Sequence, residues 1–307
     1  MSSSVSISKI VKAVTAARTG DAEVARLCVV GAGAELGRVA GALSADAADA
    51  SGGMSASLDA LSPADFPAAE GAAGRWDIVV LIAAGCPAAD MAPIAAAVRG
   101  AGRQVIALVA APYGDWIDAA GVFDDEVARG LSGDCAGAPS LENRVVRAAG
   151  DGAATLALRL PALRRAYCDH VVLANASQNA VIGAVVIIPG ADMPAMTANQ
   201  IRMVLKIAAV YGEQIGFDRA LEIISVVGTA FVFRTLARQT LDFVPGFGWA
   251  LKGAVGFTAT VALGEAAIAY FEAGAPLQIS HMQRISSQLE RGRSRLPGFM
   301  QRRLVSG

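Results

Sequence analysis

The stretch LCVVGAGAELGRVAGAL, Leu27 to Leu43, has the residue types and spacing that come nearest to phosphate chemistry. A short apolar run leads into glycines and then into a helical pattern, and backbone N–H groups at such a junction can cradle an anion. Gly31, Gly33, Gly37 and Arg38 are the residues that would form the pocket. A Walker A loop needs GxxxxGK followed by Ser or Thr, because Lys reaches the β and γ phosphates and the hydroxyl binds Mg²⁺. In the best register Ala32 takes the first Gly place, Gly37 the second, Arg38 stands for Lys and Val39 for the hydroxyl. Valine cannot bind magnesium. The dinucleotide fingerprint is met by Gly31 and Gly33, but Leu36 occupies the third glycine place and only a looser GxGxxxG is completed by Gly37. Asp59, after a weak second strand, would be the ribose-binding acid. The residues favour a structural turn, with GTP or a dinucleotide as the alternatives and no cofactor expected.

Two further positions carry chemistry in principle. Gly133-Asp134-Cys135-Ala136-Gly137 has the form of a nucleophile elbow with Cys for Ser, but Glu126 to Leu131 reads as a helix end rather than the strand an elbow requires. Glu265 lies in an apolar helix, where a carboxylate calls for a cation, and Arg234 or Arg238 from a neighbouring helix would supply it. The four cysteines, Cys28, Cys86, Cys135 and Cys168, form no CxxC pair, and only His170 and His281 could join them. No zinc site follows, and the thiols read as reduced and buried in an intracellular protein.

The elements that would position these groups fall into an ordered series. Val5 to Arg18 is an amphipathic helix by the spacing of Ile7, Ile10, Val11 and Val14. Apolar runs at Leu27–Val30, Ile78–Ile82 and Val105–Val109, a weaker one at Ser55–Leu58 and a helical pattern over Ala88–Arg99 predict βαβ units and a parallel sheet. Residues 141–170 read as helices. Val171 to Ala191 is uncharged for 21 residues, long enough to cross a bilayer, yet it holds Asn175, Ser177, Gln178 and Asn179. Helices follow over Ala198–Tyr211, from Asp218 to about Gln239, and over Trp249–Phe271, the last with Gly256, Thr260 and Gly264 on one small-residue face. The expected organisation is an N-terminal amphipathic helix (1–23), a small parallel-sheet α/β domain (24–140), connecting helices (141–170), an all-α apolar domain (171–275) and a basic tail (276–307).

Composition narrows the classes. Of 307 residues 54% are hydrophobic, which excludes a disordered chain, and 65 are Ala. The overall charge of −1 conceals a net −7 in residues 1–140 and +5 in residues 276–307. An acidic folded segment argues against nucleic acid as a partner, because phosphate recognition needs a basic face. The tail suits an anionic lipid surface.

From Asn179 to Phe271, the stretches NAVIGAVVIIPGADMPAMTANQIRMVLKIAAVYG and RTLARQTLDFVPGFGWALKGAVGFTATVALGEAAIAYFE resemble a YcjF-like domain of unknown function, a type found after Era-like GTPase domains. The resemblance implies membrane association and a P-loop-GTPase-like preceding domain. The GTPase motifs depart from that pattern. DxxG is at best Asp59-Ala60-Leu61-Ser62, and NKxD is replaced by Ala110-Ala111-Pro112-Tyr113. The expectation is a membrane-associated pseudo-GTPase-like scaffold or regulator without catalysis, its α/β domain and tail cytoplasmic, with lipid and a protein or second copy as partners. A nucleotide enzyme using the Gly31–Arg38 loop and a soluble helical interaction protein are the alternatives.

Overall fold

The computed structural model describes residues 25–45, 58–66, 72–109, 114–131, 140–185, 193–213 and 248–273. The chain forms two compact units, Met1–Ile268 and Ala269–Gly307. In the first, five parallel strands are ordered β2-β1-β3-β4-β5: β1 Leu27–Val30, β2 Leu58–Leu61, β3 Ile78–Ile82, β4 Gln104–Leu108 and β5 Val127–Ala128. Helix α1 (Gly33–Ser44) follows β1, α2 (Ala88–Gly100) follows β3, and the short α3 (Gly114–Ala119) follows β4. The α/β domain is followed by a helical region, as the order of apolar patterns predicts.

β1 and β3 consist of LCVV and IVVLI, buried at every position because helices cover both faces of the sheet. One face carries Cys28, Val30, Val79, Leu81, Val105 and Ala107, which pack with Met91, Ile94, Ala95 and Val98 of α2 and with Phe66 and Trp76. The opposite face meets helix α4 (Leu141–Ala149), which contacts β3, β4 and β5. Ser140 caps α4 through its side chain, and Leu141, Val145 and Val146 are its buried stripe. Arg144 ties α4 to the sheet edge by donating from Nε to the carbonyl oxygen of Val127 at 2.9 Å.

Two strands differ from the sequence expectation. β2 covers Leu58–Leu61 rather than Ser55–Leu58, in register with Leu27–Val30. Glu126 to Leu131 is not a helix end. Asp124–Glu126 forms a single 3₁₀ turn, and Val127–Ala128 then pair with Ala107 and Leu108 as the edge strand. An acidic turn before two apolar residues leaves no periodicity to read.

The helical region comprises α5 (Ala153–Arg159), α6 (Arg164–Val185), α7 (Met193–Val210) and α8 (Gly248–Glu272). The predicted helices at Val5–Arg18 and from Asp218 to Gln239, the Cys135 turn and the tail lie outside the described residues.

Candidate functional site

In an open parallel sheet, ligands bind beyond the carboxyl ends of the strands where the strand order reverses. Here the reversal lies between β1 and β3, so the place to inspect is the meeting of the Gly31-Ala32 turn with the Ala83–Cys86 turn. Gly31 is required there by packing, since a Cβ on it would lie 2.9 Å from Cδ1 of Ile82. Its N–H donates to the carbonyl oxygen of Leu61 at 3.1 Å. The next amide, of Ala32, donates to the Cys86 thiol. Cys86 is buried, and burial pushes its thiol up, with Asp90 adding to the rise and the Ala32 N–H opposing it. The Cys86 carbonyl oxygen in turn accepts from Trp116 Nε1 at 2.9 Å. Both amides of the turn are therefore bonded to the chain itself.

The helix begins immediately after this turn. Gly33, with φ +58°, is its first residue, and Gly37 and Arg38 are helical. Only Gly31 and Ala32 separate β1 from α1, and Arg38 sits more than a turn into the helix. Its Nε donates to Glu35 at 2.9 Å on an exposed surface. Glu35 places a negative charge in the first turn, which suits the helix dipole and competes with any anion there. The structure thus brings Gly31 and Gly33 together at the strand end, and sets Gly37 and Arg38 along the helix.

Asp59 lies within β2, opposite Cys28 in the register. Its Oδ2 accepts from Trp76 Nε1 at 2.6 Å. Trp76 is held by the ring of Phe66, with centroids 5.3 Å apart, and by the Arg75 guanidinium over its outer face. Asp59 also acts on Cys28, whose thiol is pushed up to about 12 by burial first and this carboxylate second. The sequence reading passed over Trp76, Cys86 and Trp116. The sequence RWDIVV carries one clue, an indole directly before a strand, but nothing local names its partner.

In the helical region the small-residue face of α8 packs against α6. Gly264 faces Val172, with a Cβ position 2.7 Å from Val172 Cγ1, and Gly256 faces the Asn179 carbonyl oxygen at 2.9 Å. Buried within this contact, Asn179 Nδ2 donates to Thr260 Oγ1 at 2.8 Å, and Asn199 Nδ2 of α7 donates to Asn179 Oδ1 at 2.9 Å and to the Asn175 carbonyl oxygen at 3.1 Å. Three helices are thereby joined by one polar network. Glu265 pairs not with Arg234 or Arg238, which lie outside the described residues, but with Arg165 of α6, whose Nη2 donates to both carboxylate oxygens at 2.9 and 2.8 Å. Among the described residues no group of three or more His, Cys, Asp or Glu side chains could hold a metal ion. Gly253–Glu272 is long and apolar enough to cross a membrane by length and composition, with a mean hydropathy of 1.5.

No curated protein matches the chain. No solved structure matches it. Residues 152–295 match the family model described as Domain of unknown function (DUF697), so a domain of that description occupies the C-terminal half, from the start of the α5 segment through α8.

Proposed function

We propose that the protein is a membrane-associated scaffold or regulatory protein without catalysis of its own, in which a degenerate GTPase-like α/β domain is joined to a YcjF-like helical domain. The observation that carries this reading is that the groups a nucleotide would use are bonded within the chain: the Gly31 N–H to Leu61, the Ala32 N–H to Cys86, Arg38 to Glu35 and Asp59 to Trp76. A nucleotide would have to break several of these bonds, and hydrogen bonds to charged groups are worth about 1.5–3 kcal/mol each. The membrane part is supported by Gly253–Glu272, of which the rest of the chain buries only 39%. The α/β domain and the tail lie on the cytoplasmic side in this reading, and lipid and a protein or second copy of the chain are the partners. The test pairs calorimetry of the full chain against GTP with Mg²⁺ and against NAD with membrane fractionation under a carbonate wash. The expected result is no micromolar binding and retention in the membrane pellet. Micromolar GTP affinity that Arg38→Ala abolishes overturns the non-catalytic reading in favour of the nucleotide enzyme. A monomer recovered in plain buffer, absent from the pellet, replaces it with the soluble interaction protein.

A further inference from the structure

The helical half brings together four basic or ionisable side chains from three helices. Helices α6 and α7 run antiparallel, with the Arg164 guanidinium over the Tyr211 ring at one end, 5.7 Å from its centroid, and Asn199 bonded to the Asn175 carbonyl oxygen toward the other. This register sets His170 of α6 across from Lys206 of α7. Arg202 precedes Lys206 by four residues and shares its face of α7. Arg147 comes from α4, which packs against α6. The charges that act on His170 are those of Arg147 and Lys206, and the charge that acts on Lys206 is that of Arg202. Asp169, beside His170 in the chain, is instead paired with Arg165 at 2.9 Å.

We propose that Arg147, His170, Arg202 and Lys206 form a binding site for a phosphate-bearing anion. The geometry supplies two planar guanidinium forks, one ammonium and one imidazole around a common surface, the donor set that suits a multiply charged tetrahedral group. The unoccupied cluster is electrostatically unfavourable. Desolvation first and the neighbouring charges second hold both His170 and Lys206 below their ordinary values. Like charges gathered without a counter-charge weaken the fold, and a bound dianion reverses the sign of that interaction. The site is remote in sequence from the Gly31 turn and stands whether or not the chain associates with a membrane.

The chain has only two histidines, His170 and His281, so the His170 imidazole can be followed by NMR with His281→Gln as the assignment control. Inorganic phosphate is titrated into the full chain at constant ionic strength, with imidazole shifts and melting temperature as readouts. Phosphate is expected to raise the pH at which His170 titrates and to raise the melting temperature. Arg202→Gln and Lys206→Gln are expected to weaken phosphate binding about tenfold each. Without phosphate these variants should melt no lower than the parent chain, because a repelling charge has been removed. The exposed Arg26→Gln removes one charge elsewhere and should leave binding unchanged. Parallel co-sedimentation uses vesicles of phosphatidylcholine alone and of phosphatidylcholine with phosphatidic acid. A response to inorganic phosphate identifies a soluble phosphate ligand, whereas a response confined to phosphatidic acid vesicles, lost in Lys206→Gln, identifies a lipid headgroup. No response in either arm, or an equal loss in Arg26→Gln, overturns the site.

Discussion

The same substitution, glycine to alanine within a helix, is predicted to act with opposite sign at Gly256 and Gly37. Alanine gains about 1 kcal/mol over glycine in a helix interior. At Gly37 a Cβ meets nothing within 4 Å, so the gain is realised and Gly37→Ala stabilises by about 1 kcal/mol. At Gly256 the new Cβ would lie 2.9 Å from the Asn179 carbonyl oxygen and 3.1 Å from Met196 Cε. The methionine can swing away, but the carbonyl belongs to the α6 backbone, so the helices must separate. Overpacking costs about 1–3 kcal/mol. Separation exchanges that clash for the loss of the Asn179–Thr260 hydrogen bond one turn along, which costs about 1–3 kcal/mol because both groups are buried. One such penalty, less the propensity gain, leaves a net loss of about 1 kcal/mol, and the two variants differ by about 2 kcal/mol. At about 2–4 °C per kcal/mol for chains of 150–250 residues, their melting temperatures should bracket the parent's with a spread of roughly 4–8 °C. Circular dichroism melts of the full chain in one buffer or detergent measure this directly. A Gly256→Ala protein melting at or above the parent would refute the close α6–α8 contact, and a destabilised Gly37→Ala would refute the continuous helix through Arg38.

Two further outcomes rest on buried groups. Asn179→Ala deprives Thr260 of a donor and Asn199 of an acceptor, and should cost about 2 kcal/mol or more in denaturant titration; a loss below 0.5 kcal/mol, on the scale of about ±0.5 for inconsequential sites, would show that the network is not formed. The Cys28 thiol, raised from 9.0 to about 12, contributes stability that is fully present below pH 9 and is lost as the pH rises toward 12, because the unfolded thiol ionises first. Cys28→Ala should therefore flatten the alkaline fall in urea midpoint between pH 9 and 11, and an unchanged slope would contradict the burial of this thiol.

What the sequence reveals depends on whether a feature is local. Leu27–Val30 and Ile78–Ile82 are legible as buried parallel strands because every residue in them is apolar. β5 is not, since two residues that pair with Ala107 and Leu108 leave no pattern. Displacement of β2 by three residues changes chemistry as well as geometry: it moves Asp59 from a strand end into the strand, within reach of Trp76, 17 residues away in the chain. The glycine turn shows the same limit. Its amides are legible as donors, but Leu61 and Cys86, which accept from them, are brought there only by the sheet.

The helical half raises a sharper point about polarity. Asn175 and Asn179 in an otherwise apolar stretch argue, on hydropathy, against a membrane environment. Their spacing of four places them on one helix face, and the structure buries both and joins them to Asn199 and Thr260, so their polar groups are met by protein. Glu265 likewise has Arg165 as its counter-charge, which lessens its penalty in lipid and in water alike. Side chains satisfied inside the helix cluster do not discriminate between the two solvents. The choice rests on the outer surface, where Leu173 and Val181 of α6 and Val255 of α8 are 57, 62 and 43% exposed. Replacing these three with serine removes apolar area from the outer face without touching the network. Retention in a carbonate-washed membrane pellet should fall if that face meets lipid, whereas unchanged retention would place the membrane contact elsewhere on the chain.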